Sequence, residues 1–261
     1  MQAHRLPARH GWYWLRDGFL LWQSAPGLCV SLGFSSLFAL TLVGSIPYLG
    51  QPLVQFSLPV FVLLILNLID LIARGKPLDA KKLARIGTVF QSRRDLVALI
   101  TVGIIYLLAN MLIIRFSAQI DGGIFRDIIL KRRELDPLSM ELPAFRAALL
   151  ISLGLLMPIL MACWFTPPLI GWWHHAPAKA MFFSLLACLR NWRAFSVYAL
   201  ASFSLGLLLP VFIAGVLEIL IPGMGVLALL LWILAWLIPV VFASFHASIR
   251  DIFGLPENDC R

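Results

Sequence analysis

The sequence predicts an all-α integral membrane protein, with six transmembrane helices arranged as three tandem units of interfacial amphipathic helix plus helical hairpin. Three observations carry that expectation. Apolar residues fill 61% of the 261 positions and charged residues only 13%, where soluble domains hold about 45–50% and 25%. The apolar residues fall in six long, nearly uncharged runs, and about 20 such residues cross a ~30 Å hydrocarbon core. The basic residues that give the net charge of +8 sit between those runs, as cytoplasmic loops require.

The runs place spans at 27–46, 51–72, 96–116, 146–170, 195–221 and 225–247. They are far too long for barrel strands of about 10 residues. Helices satisfy every backbone group internally, which lipid demands. The first run follows a Trp-rich stretch and lacks the short apolar region and small-residue cleavage site of a signal peptide, so it is expected to remain in the mature chain.

Loop charge sets the orientation. With the N-terminus inside, 15 of the 21 Lys and Arg residues lie on the cytoplasmic side, the sense that the positive-inside rule favours. Both termini are then cytoplasmic. Two outer turns, Pro47-Tyr48-Leu49-Gly50 and Pro222-Gly223-Met224-Gly225, carry no charge and read as tight hairpins. The third outer loop, 117–145, is longer and contains Lys131-Arg132-Arg133. Its Ile124, Phe125, Ile128 and Ile129 form a helical stripe, which predicts a short helix on the outer membrane surface.

The tandem units are 1–76, 77–176 (with the outer-loop insertion near 117–145) and 177–261, together one polytopic domain. Trp12, Leu15, Phe19 and Trp22 share their spacing with Phe182, Leu185, Leu189 and Trp192. Leu83, Ile86 and Phe90 form a weaker copy. The second helix of each hairpin carries a proline, Pro59, Pro158 or Pro239, and another follows at Pro77, Pro177 or Pro256. Each amphipathic segment is expected to lie along the inner surface, over 11–23, 79–91 and 179–191.

Three stretches carry a resemblance: Gly11-Trp12-Tyr13-Trp14-Leu15-Arg16-Asp17-Gly18-Phe19, Leu189-Arg190-Asn191-Trp192-Arg193-Ala194-Phe195, and Ala243-Ser244-Phe245-His246-Ala247-Ser248-Ile249-Arg250-Asp251-Ile252-Phe253. With them the chain resembles, over its whole length, an uncharacterised proteobacterial family of six-helix inner-membrane proteins. The resemblance implies the inner membrane, with no activity and no catalytic residues to carry over.

Candidate site residues are few. Glu218 is an acid well inside an apolar run, four residues before Pro222. Such a carboxylate is a functional candidate by default, although one turn separates it from the outer interface and water. His246 lies between Ala243 and Ala247, a small-xxx-small pair that lets helices approach closely; buried there, it needs a partner. Arg190, Arg193 and Arg250 lie at inner span ends, where they anchor the chain or bind anionic headgroups. Asp70 and Arg74 are spaced for a helical ion pair. His174 and His175, beside Trp172 and Trp173, read as an interfacial belt. Cys29, Cys163, Cys188 and Cys260 form no CxxC pair and read as packing residues.

No GxxxxGK[ST], HExxH, GxSxG or GxGxxG pattern occurs, and no metal or cofactor is expected. Membrane lipids are the expected partners, with anionic headgroups on the inner face; nucleic acid is not, because no soluble basic domain exists. The foremost functional expectation is a non-enzymatic protein that organises lipid or partner proteins. The alternative is a small transporter or channel for an uncharged or lipid-like solute. An intramembrane enzyme using Glu218 or His246 ranks last.

Overall fold

The structure, a computed structural model, describes residues 4–47, 49–75, 92–130 and 133–254. The described chain is entirely helical: α1 (His10–Ser24), α2 (Pro26–Gly44), α3 (Gly50–Ala73), α4 (Arg93–Asp121), α5 (Ile124–Ile129), α6 (Pro137–Glu141), α7 (Pro143–Trp164), α8 (Thr166–Gly171), α9 (Pro177–Arg190), α10 (Trp192–Leu220) and α11 (Met224–Phe253). Six described helices are long and apolar enough to cross a membrane: α2, α3, α4, α7 continued by α8, α10 and α11. They make three hairpins, α2–α3, α4–α7/α8 and α10–α11. The expected spans are all present. The ends shift by a few residues, most at the end of α11, six residues past 247, and at the end of α4, which runs five residues past 116 before two left-handed glycines, Gly122 and Gly123, end it.

The Gly122-Gly123 turn is held by Asp121. Its carboxylate accepts the amides of Gly123 at 2.8 Å and Phe125 at 2.6 Å, so α5 starts where the isoleucine stripe begins. Further on, Asp136 caps α6. Its carboxyl is lowered to about 2 by the Ser139 hydroxyl and amide and then by Arg133, so this cap persists at neutral pH and fades only as pH falls toward that value.

Packing is concentrated at the end of the bundle where His4 meets Ile252. There Trp14, Leu63, Leu66, Leu99, Val102, Phe165, Leu169, Ile170, Phe245, Ile249 and Ile252 form one buried cluster. Phe165 is its hub, with rings of Phe195, Phe245 and Phe253 at 5.9, 5.6 and 5.3 Å. The far half of the third hairpin differs. Leu209–Leu220 and Met224–Trp232 pack chiefly on one another, and Pro210, Ala214 and Gly225 are their only buried residues.

Two segments expected along the surface, 11–23 and 179–191, are helices separate from the spans that follow. Ala25 (φ −149, ψ 61) breaks α1 from α2, and Asn191 (φ −110, ψ 20) breaks α9 from α10. The third, 79–91, lies outside the described residues. Of the stripe Trp12, Leu15, Phe19 and Trp22, helix α1 turns only Leu15 fully into the protein. Its buried face is Gly11, Trp14, Leu15 and Gly18, whereas Trp12 is 48% exposed and Phe19 and Trp22 are half-buried. The physical reason is close packing. A Cβ at Gly11 would overlap the backbone of Ala194 on α10, and one at Gly18 would overlap Ser244 on α11. Helix α1 is thus wedged against both limbs of the third hairpin, and Trp14 fills the space between, with Phe195 at 5.2 Å.

This wedge generates a stability prediction. Gly18→Leu should destabilise the protein by about 1–3 kcal/mol or more, the usual range for overpacking, read as a lowered Tm in detergent. Gly27→Ala, where an added Cβ meets nothing within 4 Å, should cause no loss. Equal effects would remove the wedge from the account. Burial raises the Cys188 thiol on α9 to about 12, so Cys188 should stay unlabelled by maleimide at pH 8 until the protein unfolds.

Candidate functional site

Chemistry-bearing residues gather at the packed end, where each is placed by a contact between helices. Asp70, in the last turn of α3, pairs with Arg74 at 2.7 Å, i to i+4. Its other oxygen lies 3.2 Å from Nε2 of His246, on α11. His246 is buried, and the Trp172 ring packs edge-on against it at 6.1 Å. The Trp172 indole donates to the Asn67 amide oxygen at 2.7 Å. The partner that a buried His246 needs is therefore Asp70, and the helical Asp70–Arg74 pair also forms.

Beside this group, His174 Nδ1 lies 2.7 Å from Asp95 Oδ2, in the first turn of α4. His174 adopts φ 53, a left-handed backbone uncommon outside glycine, in a turn closed by the His174 and His175 amides donating to the Ile170 and Leu169 carbonyls. At His175 burial, then Lys179, pushes the imidazole below its ordinary value. No local spacing links Asp95 to this histidine pair, since 79 positions separate it from His174. Among the described residues no three His, Cys, Asp or Glu converge as metal ligands would.

A second network ties α1 to α11. Asp251 accepts the Trp14 indole N–H at 3.1 Å and the Arg250 Nε–H at 3.2 Å. Arg250 also donates to Asp17 at 2.8 Å. Arg250 is thus engaged in ion pairs rather than free for a headgroup. Asn191 anchors the N-terminal segment: its side chain accepts the Leu6 amide at 2.8 Å and donates to the His4 carbonyl at 3.0 Å.

Two contacts repair broken helix ladders. Pro239 has no N–H, so the Ala235 carbonyl four residues earlier has lost its helical donor. The Trp22 indole donates to that oxygen at 2.9 Å. In α7/α8 the chain kinks at Phe165, before Pro167 and Pro168. There the Ser184 hydroxyl of α9 accepts the Phe165 amide at 2.9 Å and donates to the Met161 carbonyl at 2.7 Å. One hydroxyl thus inserts into a single i to i−4 position.

This scaffold has a curated relative of matching length. A protein of Burkholderia thailandensis described as a probable inner membrane protein is 32% identical, over 98% of this chain and 96% of the relative. The chain belongs to that inner-membrane protein family. No family model matches it, and no solved structure matches it. The family and the six apolar helices together make this an inner-membrane protein.

Two further candidates stand apart from the packed end. Glu218 is exposed at the tip of the third hairpin. Its two oxygens accept the Gly223 and Gly225 amides, each at 2.9 Å. It caps the start of α11, where a carboxylate meets unpaired amides and the positive end of the helix dipole. Arg190 and Arg193 are exposed on and just beyond α9, Arg193 above the Trp192 ring at 5.5 Å.

The Trp22 contact yields a test. Trp22→Phe leaves the Ala235 carbonyl without its donor and should cost about 1–3 kcal/mol. Combined with Pro239→Ala, which restores a backbone N–H, the same change should cost clearly less. Additive losses in that double-mutant cycle would show that the indole does not serve the proline gap.

Proposed function

We propose that the protein is a non-enzymatic membrane scaffold that organises lipid or partner proteins, with both termini in the cytoplasm. One observation carries the reading: apart from Nε2 of His175, which has no partner among the described residues, the buried polar side chains at the packed end are engaged across helices or by their own backbone. Asp70, His246, Asp95, Asn191 and Asp251 bind neighbouring elements, and Ser244 and Ser248 return to their own helix. Groups so engaged hold helices in register. A substrate site needs polar groups aimed at an open pocket.

The tandem-unit reading draws support from a parallel. Helices α1 and α9 each precede a hairpin, and each sets a side chain into a break in the second limb of another hairpin, Trp22 in α11 and Ser184 in α7/α8.

A transporter or channel for an uncharged or lipid-like solute is the second reading, and one feature favours it. Both limbs of the third hairpin widen into a π-turn at the same level, Ser204–Leu208 and Ile233–Leu237. Gly206 of one turn lies against Leu237 of the other, and each turn is followed by a proline. Broken helices of this kind mark transporter sites.

Proteoliposomes separate the two readings. The scaffold reading expects neither glycerol flux nor scrambling of a fluorescent phosphatidylcholine above empty liposomes. Either activity, carried by well-folded protein, overturns it in favour of transport. The orientation is checked by single cysteines in a cysteine-free background. An impermeant maleimide added to intact cells should label Leu138→Cys and not Ala178→Cys, both exposed positions. The reverse pattern inverts the topology.

A further inference from the structure

The spanning helices of this protein bury little of their surface, which lipid explains without further argument. Helix α9 is different, because it does not span and yet exposes large apolar side chains. Its fully buried side chains are small, Ala180, Ser184, Ala187 and Cys188, with Met181 and Phe183 packed partly against the core beside them. The opposite side presents Phe182 at 59%, Leu186 at 37% and Leu189 at 50% exposure, and just past its end Trp192 is 57% exposed. A surface helix of a soluble protein turns its large apolar residues inward. This one turns them out.

Charge completes the pattern. From Pro177 to Arg193 there is no acidic residue, and Lys179, Arg190 and Arg193 are all exposed. Lys179 and Arg190 are three helical turns apart, about 16 Å along the axis, and project within about 20° of each other. Both therefore border the Phe182–Leu186–Leu189 stripe. The ammonium of Lys179 lies 5.8 Å from the Phe183 ring centroid and the guanidinium of Arg193 lies 5.5 Å from that of Trp192. Elsewhere Arg16, Arg74, Arg126, Arg133 and Arg250 each pair with an aspartate, while other arginines, Arg115 and Arg146 among them, also stand without an ion pair among the described residues. Among the described residues, no carboxylate pairs with Lys179, Arg190 or Arg193. An apolar stripe bordered by uncompensated cations matches the boundary of an anionic bilayer, where acyl chains meet phosphates.

We propose that the outer face of α9 docks on anionic phospholipid, with Lys179, Arg190 and Arg193 holding phosphates while Phe182, Leu186 and Leu189 sink into the acyl boundary. This rests on the lipid-organising reading above and names its lipid class and its surface. The cations set the headgroup preference, and the apolar stripe sets the depth. Ser184, on the far side, is left free to bridge the kink in α7/α8, so lipid contact and span geometry meet on one short helix.

The test uses the full chain in phosphatidylcholine bilayers with trace spin-labelled phosphatidylglycerol or phosphatidylcholine. The share of each label that becomes motionally restricted gives the preference for the anionic lipid. The parent should prefer it by about fivefold at low ionic strength, the scale of one well-placed cation, and less in salt. The variant K179Q/R190Q/R193Q should fall to near unity, whereas K179R/R190K/R193K should keep the preference. Matching Tm values for the three proteins certify the fold. A parent without preference, or a neutralised variant that retains it, overturns the proposal. So does tighter binding of soluble polyglutamate than of phosphatidylglycerol at the same cations, which would make the partner an acidic protein segment. None of these results bears on glycerol flux or lipid scrambling, so the scaffold reading stands or falls separately.

Discussion

In hydrocarbon a backbone carbonyl without a donor has no water to turn to, and leaving it bare costs several kcal/mol. That constraint organises this protein. Pro239 withdraws the donor of Ala235, and the indole of Trp22 supplies another. The kink at Phe165 opens the ladder between residues 161 and 165, and the hydroxyl of Ser184 closes it. In both cases the repair comes from a short helix that is not itself a span. The kinks and the short helices therefore require each other. Without the kinks, Trp22 and Ser184 have no open backbone group to bond; without α1 and α9, the kinks expose polar backbone.

The remaining contacts of α1 follow from that seat. To bring Trp22 to Ala235, α1 must lie against α11 along its length, and Gly11 and Gly18 permit the approach. Trp14 then reaches Asp251, and Asp17 reaches Arg250. The third hairpin is gripped from its terminal end up to the level of its π-turns. Beyond them, between Leu209 and Trp232, its two limbs have chiefly each other. The hairpin is thus divided into a braced half and a half that lipid must cover.

Much of the fold was legible in the sequence because spanning helices are written in length and apolarity alone. Six runs of about 20 apolar residues allow one secondary structure in lipid, and their ends are marked by Pro, Gly and charge. The prolines and tryptophans were visible as well. Their connection was not, because Trp22 and Ala235 are 213 positions apart and no local period links them. His246 could be read as needing a partner. That the partner was Asp70 depended on α3 and α11 becoming neighbours, which tertiary packing decides. Asp95 and Asp251 were overlooked because each stands beside arginines, and the positive-inside argument had already absorbed those arginines. Glu218 drew attention for its depth in an apolar run, yet its carboxylate serves the turn that follows it.

The protein-facing sides of α1 and α9 point to a rule that differs between solvents. In water, large apolar residues on a helix mark the face that meets the protein. At a membrane, lipid accepts those residues as readily as a protein interior does, so hydrophobicity no longer tells the two faces apart. What distinguishes them is size, because small residues let backbones approach and gain dispersion contacts that lipid cannot match. On α1 the packing face is marked by Gly11 and Gly18. On α9 it is marked by Ala180, Ser184, Ala187 and Cys188. Larger residues join them, Leu15 on α1 and, partly buried, Met181 and Phe183 on α9. Trp14 is there because its indole N–H has a carboxylate to reach and its bulk fills the gap the glycines leave. Read by size rather than by apolarity, the two helices give the same answer: small side chains face the hairpins, and the broad apolar side of α9 is left for the membrane.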